Sequence, residues 1–419
     1  MTTYTINNEL NYAAEVVRLK ANNFVTLEGL DRLVGVAIKG QVALVQKGQF
    51  QAGDTAVLFP TECQLSDAFC KEHGLYREDG GYIEKNRRVR AIKLRGHYST
   101  ALLLPNTEDI PEGTIFDTID GVEVCRKYVP RTSRKGNPSS GVVAAKKNKT
   151  PYVDARFFPE HMDTRQFHRF PELLDPKKVT YITQKLNGTS VRLGYTYVNR
   201  KPTLKERIAK WFGVDVAPAM AVVGGSRKVV KTDPNRSEGG DFYDVDIWAH
   251  ATERYGELIP PNVIVYGELV GFVPGTSTPI QPRYTYNAAE GDYELYVYRV
   301  AVIASDGSEY DLPDPTMREF CAARGLKVVP LLSLMRADSN IIEYFVNDYV
   351  DVRMADEYRK FPDMFMDEPV PLSDPDTVDE GVVLRQDGLR PTLLKWKGPV
   401  FLQTETEQLD EGVGDYDGS

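Results

Sequence analysis

Residues 179–190, VTYITQKLNGTS, form the stretch that best predicts both the fold and the site. The β-branched and aromatic residues up to Gln184 predict a strand, and Asn187-Gly188 predicts a turn directly after it. Lys185 stands between the two. Because glycine lets the backbone approach a ligand closely, the sequence places this lysine where a strand end meets a candidate binding site.

Three later segments bring further charges to predicted strands. They are YGELVG from Tyr266, EGVVLR from Glu380 and LKWK from Leu394. Each apolar run carries charged residues at or beside it, and these are Glu268, Glu380, Lys395 and Lys397. The successive separations are 83, 112 and 15 residues, counted from Lys185 to Glu268, on to Glu380 and on to Lys395. We therefore expect the four segments to converge on one cleft.

Such a cleft has the groups needed for covalent nucleotidyl or phosphoryl transfer. A lysine amine attacks only when it is neutral, and nearby cations, partial burial or a metal ion favour that form. Lys395 and Lys397 can bind phosphate oxygens, while Glu268 and Glu380 can hold Mg²⁺ or its waters. Each segment alone also has an ordinary interpretation, such as a surface turn, a solvated strand end or an edge strand with protective lysines.

Length and composition limit the class of protein. A chain of 419 residues with 42% hydrophobic and 26% charged residues is typical of a globular protein with two or three folded units. There is no long apolar run and no signal peptide, so we expect no membrane contact and a cytoplasmic or nucleoplasmic location. Cys63, Cys70 and His73 lack the fourth ligand of a structural zinc site, so reduced thiols are expected.

The pattern divides the chain into four regions and predicts the α+β class. Residues 1–128 contain short strands between glycine turns, which predicts a small OB-like β-barrel. Residues 129–151 read as a basic linker, and residues 152–402 as a mixed α/β domain with antiparallel sheets. Residues 403–419 form an acidic tail, expected to be disordered or loosely docked.

Elements within these regions can also be predicted. The expected strands of the first region are Ala14–Lys20, Leu33–Lys39, Val42–Gln46, Thr55–Pro60 and Val89–Leu94. Those of the larger domain are Val179–Gln184, Val263–Val270, Glu294–Ala304, Gly381–Arg385 and Leu393–Trp396. Helices are expected over Lys205–Phe212, over Asp314–Ala323 and from a Ser339 cap toward Lys360.

The distribution of charge indicates where a polyanion could dock. The net charge is −9, yet residues 126–150 hold eight lysines or arginines and no acid, whereas residues 403–419 hold six acids and no base. Residues 87–95 carry five bases among apolar residues. A basic strand of this kind can follow a phosphate backbone, or it can be an ordinary solvated face.

The four segments resemble the motifs of the covalent nucleotidyltransferase superfamily, which comprises ATP-dependent DNA ligases, RNA ligases and mRNA capping enzymes. Lys185 falls on the lysine of its motif I, Glu268 on motif III and Glu380 on motif IV. Lys395 and Lys397 fall on the motif V pair, and the strand Glu294–Val302 resembles motif IIIa. The barrel-like region comes first here, which resembles the nick-sealing class of RNA ligases with an N-terminal OB-type domain.

The resemblance implies an ATP-dependent ligase that joins 3′-hydroxyl and 5′-phosphate ends in three steps. AMP becomes bound covalently to Lys185, passes to the 5′-phosphate, and is released when the 3′-hydroxyl attacks. The implied metal is Mg²⁺ or Mn²⁺, held by Glu380 and Glu268. The implied partner is a nicked, RNA-containing duplex, and the protein is expected to be a monomer.

The same resemblance assigns residues to the nucleotide. Tyr298, or Tyr296 on the same strand, would stack on adenine, and Arg227 would contact phosphate or nucleic acid. Gln184 and Asn187 flank the motif I lysine and would also contact the nucleotide. An upstream arginine of the family would correspond to Arg165 or Arg169. Deleting residues 1–125 is expected to spare lysyl-AMP formation and impair sealing.

Asn187 departs from the family pattern, which has aspartate at this position. An amide can still accept through its oxygen, so we expect altered tuning of the metal site. Other interpretations stay open at this point. They are a DNA ligase or a GTP-using guanylyltransferase, a nucleic-acid-binding relative without catalysis, and a phosphate-binding protein whose motifs match by chance.

Overall fold

The structure is a computed structural model and describes residues 2–129, 151–200, 202–214, 219–234, 245–354, 370–374 and 377–411. The predicted basic linker therefore lies, apart from its two end residues, outside the described residues. The same holds for the last eight residues of the acidic tail.

Short antiparallel strands make up most of the N-terminal region, as the glycine-punctuated pattern predicted. The larger ones lie within two residues of the expected bounds, while the strand predicted over Val89–Leu94 is reduced to its last three residues. The strands are β1 (Tyr4–Thr5), β2 (Ala14–Arg18), β3 (Phe24–Val25), β4 (Leu33–Ile38), β5 (Gln41–Gln46), β6 (Thr55–Pro60), β7 (Cys63–Leu65), β8 (Ile92–Leu94), β9 (His97–Ser99), β10 (Ala101–Pro105), β11 (Ile115–Phe116), β12 (Thr118–Ile119), β13 (Val122–Glu123) and β14 (Cys125–Lys127).

No closed OB-like barrel is found among the described residues, because these strands form five separate sheets. Their orders are β1-β12-β13, β10-β6-β2-β11, β14-β7, β3-β4-β5 and β8-β9. Where β5 passes the corner between β9 and β10, side-chain hydroxyls replace part of the ladder. The hydroxyls of Thr100 and Ser99 accept the N–H groups of Val42 and Leu44 at 3.1 and 3.2 Å. The two larger sheets thus meet partly through side chains, beside a backbone hydrogen bond from the Thr100 N–H to the Val42 carbonyl oxygen at 2.7 Å.

The larger domain is built on two sheets that are antiparallel except for two short parallel pairings. Its strands are β15 (Arg165–Gln166), β16 (Thr180–Lys185), β17 (Thr189–Tyr197), β18 (Met220–Gly225), β19 (Val263–Gly271), β20 (Tyr293–Ile303), β21 (Glu309–Asp311), β22 (Lys327–Val328), β23 (Leu331–Met335), β24 (Gly381–Gln386) and β25 (Thr392–Lys397). One sheet has five strands in the order β15-β25-β24-β16-β23, and the other has the order β18-β17-β19-β20-β21 with β22 beside β20. The α+β prediction with antiparallel sheets is confirmed.

Helices border the sheets and include the three that were predicted. They are α1 (Asp67–Glu72), α2 (Leu204–Trp211), α3 (Ile247–Tyr255), α4 (Asp314–Ala322), α5 (Ser339–Asn347) and α6 (Pro399–Glu411). The cap of α5 is Asp338 rather than Ser339, because the Asp338 carboxylate accepts the N–H groups of Asn340 and Ile341. A π-helix over Asp348–Arg353 continues α5.

The expectation for the acidic tail is wrong where the structure describes it. Residues 403–411 belong to α6, which begins two residues after β25. Phe401 and Thr406 of this helix are buried, and Asp410 forms ion pairs with Arg88 and Arg90 of the N-terminal region. Asp410, one of the acids that suggested disorder, therefore has specific partners within the fold.

The core is divided in a way that leaves a cleft between the two large sheets. One apolar cluster packs α3 and α4 against the six-stranded sheet, and another packs α5 against the five-stranded sheet. A third cluster lies between them and includes Leu186, Val270, Tyr284, Tyr286 and Phe401. It joins the turn after β16 to β19 and α6, and so forms the floor on which the predicted site residues stand.

All four cysteines are free and buried, in line with the expected reduced thiols. Within the described residues, no helix is long and apolar enough to cross a membrane.

Candidate active site

Three neighbouring strand ends bring the predicted lysines together. In the five-stranded sheet, Lys185 at the end of β16 lies opposite Gly381 of β24, and Gly381 lies opposite Lys397 of β25. Lys395 is two residues before Lys397, so both side chains project from the same face of the strand. Glu380 immediately precedes β24, which places its carboxylate at the same edge of the sheet.

The carboxylate of Glu380 joins two of these lysines. Its Oε2 lies 2.7 Å from Lys185 Nζ and its Oε1 lies 3.0 Å from Lys397 Nζ, and the residue is only 3% exposed. Burial raises the pKa of Glu380, but the two ammonium groups outweigh burial and hold that pKa below its ordinary value. Glu380 is therefore a buried, ionised carboxylate at the centre of the cluster.

Lys395 is the amine whose charge is most disfavoured by its surroundings. Burial is the main cause, and the positive charges of Lys397, Lys185 and Arg227 add to it, so that the pKa of Lys395 is lowered to about 7. Lys397 differs, because Glu405 and Glu380 outweigh its burial and raise its pKa. Near neutral pH, the site thus has one firmly charged lysine beside one that readily gains a proton when an anion arrives.

A glycine sets the close approach of the motif I turn to the six-stranded sheet. A Cβ at Gly188 would lie 2.3 Å from the Leu269 carbonyl oxygen and 2.8 Å from Glu268 Cγ. Glycine is thus required for the turn to pass directly over β19. The Gly188 carbonyl accepts Gln281 Nε2 at 2.9 Å, and the Asn187 N–H donates to Tyr286 Oη at 2.7 Å. These contacts hold Lys185 and Glu268 on facing walls of the cleft.

Glu268 lies on the wall formed by β19. Ser190 is its partner across the ladder with β17, and the Ser190 hydroxyl donates to Glu268 Oε2 at 3.4 Å. Glu268 and Glu380 thus come from different sheets and line the same cavity. Among the described residues there is no cluster of three His, Cys, Asp or Glu side chains suited to a metal ion.

All nine residues assigned from the sequence line one cavity of about 270 Å³. They are Gln184, Lys185, Asn187, Arg227, Glu268, Tyr298, Glu380, Lys395 and Lys397. The convergence of the four segments is therefore a property of the fold, while the role of each residue stays a prediction. Tyr296, Arg165 and Arg169 are not among the described lining residues. Arg169 instead is buried against Glu15, with Nε 3.2 Å from Oε2.

Three others of the nine, Gln184, Arg227 and Tyr298, have hydrogen-bond or ion-pair partners that limit how they can contact a ligand. The amide of Gln184 bonds to both backbone groups of Leu372, so this side chain holds a neighbouring segment in place. Arg227 Nη2 lies 2.5 Å from Asp163 Oδ1, and Tyr298 Oη lies 2.8 Å from His161 Nδ1. Burial, followed by the positive charge of nearby arginines, holds the pKa of His161 well below its ordinary value, so this ring is neutral.

Several lining residues were not predicted from the sequence. Tyr12, Glu62 and Lys127 come from the N-terminal region, and Glu405 and Gln408 come from α6. The signal for α6 was present, because Pro399 suits a first helical position and Leu402 and Leu409 are spaced as on one helix face. Nothing in the sequence pairs Tyr12 or Glu62 with a motif more than 100 residues away.

Part of the basic run at residues 87–95 is bound within the fold. Arg88 is fully buried and binds both oxygens of Glu62, each at 2.7 Å. Arg88 and Arg90 also lie 2.9 and 3.0 Å from the Asp410 carboxylate of α6. Two of the five bases are therefore taken up by the fold itself.

Comparison with known proteins agrees with this geometry. A sequence profile of RNA ligases matches residues 178–397, which are 220 of the 419 residues. No curated protein matches the sequence.

Solved structures of an RNA ligase from Naegleria gruberi share the fold. A mutant with AMP and Mn is 15% identical, covers 93% of this chain and 98% of that chain, and gives a TM-score of 0.58. A mutant with ATP and Mn is 14% identical with the same coverage and TM-score. The protein with PPi is 14% identical, covers 94% and 99%, and also gives 0.58. The similarity in fold extends over nearly the full length of both chains.

Proposed function

The chain belongs to the RNA ligase family, and from that premise we propose that it is an ATP-dependent RNA ligase that joins 3′-hydroxyl and 5′-phosphate ends at nicks in RNA-containing duplexes. One observation carries the proposal. Lys185 Nζ lies 2.7 Å from a buried carboxylate that also binds Lys397, at the mouth of a cavity lined by Lys395 and Glu268. The proposal includes action as a monomer in the cytoplasm or nucleoplasm.

The first step attaches AMP to Lys185. The neutral amine attacks the α-phosphorus of ATP, an N–P bond forms, the bond to the bridging oxygen breaks, and pyrophosphate leaves with the electron pair. The amine must first lose a proton, and Glu380 Oε2 at 2.7 Å is the acceptor in contact with it. Because Lys185 and Lys397 keep the pKa of the buried Glu380 low, that carboxylate passes the proton on to water in the cleft.

The motif V lysines stabilise the charge that develops on the α-phosphate. Lys397 is held charged by two carboxylates, and the lowered pKa of Lys395 means that it gains its proton as phosphate oxygens enter. Donors that are already in place cost no reorganisation during the reaction, and for this reason such groups have large effects on rate.

The residues present fit a divalent metal ion bound together with the nucleotide. Mg²⁺ usually takes one or two carboxylates with phosphate oxygens and waters, and Glu380 and Glu268 supply two carboxylates on facing walls. When bound, the ion stabilises negative charge on the α-phosphate. Asn187 has an amide where the family has a carboxylate, so Glu380 and Glu268 carry this function here.

The base and ribose fit the wall formed by the six-stranded sheet. Tyr298 is the aromatic residue proposed to stack on adenine, and Arg227 the cation proposed to contact phosphate. His161 Nε2 and Arg299 Nη1 are buried atoms of lining residues and have no hydrogen-bond partner among the described residues. Gln184 acts indirectly, because its amide is bonded to Leu372.

The last two steps move AMP and seal the strand. A 5′-phosphate oxygen attacks the phosphorus of lysyl-AMP, and the N–P bond breaks to return the amine of Lys185. The 3′-hydroxyl oxygen then attacks the activated 5′-phosphorus, loses its proton, and displaces AMP. The N-terminal region, whose Lys127 reaches the cavity, is proposed to contact the nicked duplex in the manner of an OB-type domain.

The experiment that tests the proposal is adduct formation with α-labelled ATP and Mg²⁺. We expect a covalent labelled protein that is absent from Lys185→Ala and present in Lys178→Ala, an exposed lysine just before the same strand. Labelling from GTP alone would indicate a guanylyltransferase. Binding of duplexes with no adduct would indicate a relative without catalysis.

A matched panel of nicked duplexes, with RNA or DNA on each side of the nick, tests the finer part of the proposal. Sealing is expected at nicks flanked by RNA, and it is expected to weaken as salt rises, because phosphate contacts release counterions. Efficient sealing of all-DNA nicks alone would contradict the assignment to RNA.

A further inference from the structure

Lys397 is held between carboxylates from two different elements. Its Nζ lies 3.0 Å from Glu380 Oε1, which precedes β24, and 2.8 Å from Glu405 Oε1, which belongs to α6. Glu380 falls on a motif of the superfamily, whereas Glu405 lies beyond the part of the chain that the family profile matches. Glu405 also lines the cavity, although no step of the proposed reaction involves it.

The position of Glu405 is set by its neighbours on α6. The next residue, Thr406, is 1% exposed, and its hydroxyl lies 3.0 Å from Glu62 Oε1 and 3.3 Å from the Ala91 nitrogen. Further along, Asp410 pairs with Arg88 and Arg90. Toward the start of the helix, Phe401 is buried in the cleft floor. The helix is therefore anchored on both sides of Glu405.

We propose that Glu405 is a positioning residue for Lys397 in lysyl-AMP formation. A lysine ammonium has three N–H donors in a flexible side chain. Glu380 and Glu405 take two of them from different directions, so the third has a defined direction and remains for an α-phosphate oxygen. Without Glu405, the side chain has one anchor and must lose more rotamer freedom when the phosphate arrives. This inference rests on the proposed function, because it concerns the first step of that reaction.

The same helix offers a matched control. Glu407 is exposed and accepts Gln403 Nε2 at 2.8 Å within the helix. Glu405→Gln and Glu407→Gln remove the same charge from positions two residues apart. A general effect of charge or helix stability would appear in both variants, whereas a positioning effect would appear in Glu405→Gln alone.

The test measures lysyl-AMP formation in a single turnover over a range of ATP concentrations. For Glu405→Gln we expect the rate at saturating ATP to fall about tenfold, with a smaller change in the ATP concentration needed for half the maximal rate. Glu407→Gln is expected to match the unaltered protein. Because Glu405 acts through Lys397, adding Glu405→Gln to Lys397→Met is expected to cause no further loss. An additive loss, or an unchanged rate for Glu405→Gln, would overturn the proposal.

A second measurement does not depend on catalysis. Trace acetylation at one fixed pH, followed by peptide mass spectrometry, reports how firmly each lysine amine is held. Lys397 is expected to react faster in Glu405→Gln than in Glu407→Gln, and equal reactivity would overturn the proposal even if adduct formation changed. Absence of any adduct in the unaltered protein would instead refute the proposed function, so the two failures are distinguishable.

Discussion

Two buried charge clusters are both in contact with α6, and they are built on opposite principles. The site cluster gathers three amines around one buried carboxylate and receives a second carboxylate from the helix; its members are Lys185, Lys395, Lys397, Glu380 and Glu405. The anchor cluster has one fully buried guanidinium between two acids; its members are Arg88, Glu62 and Asp410.

The anchor cluster is saturated, whereas the site cluster is not. Arg88 donates to both oxygens of Glu62 and to Asp410, so each of its three guanidinium nitrogens has a carboxylate partner. Among the described residues, Lys395 of the site cluster forms no such ion pair, and burial with the nearby positive charges lowers its pKa to about 7. An unsatisfied excess of positive charge is poor for stability and suits the binding of a phosphate. The comparison shows that the charges of the anchor cluster stabilise the fold, whereas those of the site cluster are suited to binding an anionic ligand.

Glu380→Gln should have the largest effect, because it removes the centre of the site cluster. An amide has one acceptor oxygen, whereas the carboxylate uses a separate oxygen for Lys185 and for Lys397, and the amide carries no charge to hold a metal ion. We expect the rate of lysyl-AMP formation to fall about 10²–10³-fold in single-turnover measurements. Glu172→Gln, an exposed acid on the turn before β16, is the control and should keep the normal rate. A loss of less than about fivefold would show that the carboxylate is a structural partner of the lysines only.

Arg88→Met should act on folding rather than on chemistry. It leaves the buried Glu62 carboxylate without its counter-charge, while Asp410 keeps only its ion pair with Arg90. We expect the free energy of unfolding to fall by about 3–5 kcal/mol in denaturant titrations. The neighbouring Arg87→Met, at a half-buried arginine, should cost far less. Equal effects of the two substitutions would mean that the ion pairs of Arg88 do not contribute specially to the stability of the fold.

Lys395→Met should stabilise the protein, in a way that depends on pH. Between about pH 7 and the ordinary lysine pKa of 10.5, the unfolded chain holds a proton at Lys395 that the folded protein lacks, so stability rises with pH across this window. Below pH 7 both states hold the proton, and the cost of the buried charge is present in full. The methionine should therefore add on the order of 2 kcal/mol at about pH 6 and progressively less toward pH 10.

Denaturant titrations at several pH values check this prediction. Lys178→Met replaces an exposed lysine and should show no comparable dependence on pH. A stabilisation by Lys395→Met that stays constant with pH would point to apolar packing as its cause. The same variant is expected to lose lysyl-AMP formation. Lys395→Met would thus increase the free energy of unfolding and abolish activity in one substitution.

The transferase site could be predicted from the sequence because its determinants are local. Lys185, Glu268, Glu380 and Lys397 each lie at or beside an apolar strand, and strand periodicity combined with a short motif is enough to place them at strand ends. Gly188 is one such local determinant, because the turn passes so close to β19 that a side chain at this position would collide with Leu269.

The remaining lining residues depend on contacts between distant parts of the chain. Tyr12 and Glu62 reach the cavity only because the N-terminal region packs against α6, and no local pattern encodes that packing. The predicted OB-like barrel was not confirmed, for a related reason. The hydroxyls of Ser99 and Thr100 occupy backbone N–H groups that a continuous ladder would have used. Composition also misled at the tail, because two of its acids, Glu405 and Asp410, are the partners of Lys397, Arg88 and Arg90.

The continuity of β25 into α6 has a practical consequence for anyone who clones this gene. The family profile ends at Lys397 and the helix begins at Pro399, so an expression vector cut to the recognised boundaries would keep every motif and discard Glu405, Thr406 and Asp410. Such a minimal enzyme would lack one wall of its own cleft. Domain boundaries drawn from similarity alone would thus yield a protein with a recognisable signature and an incomplete pocket, and purification tags are better placed beyond residue 411.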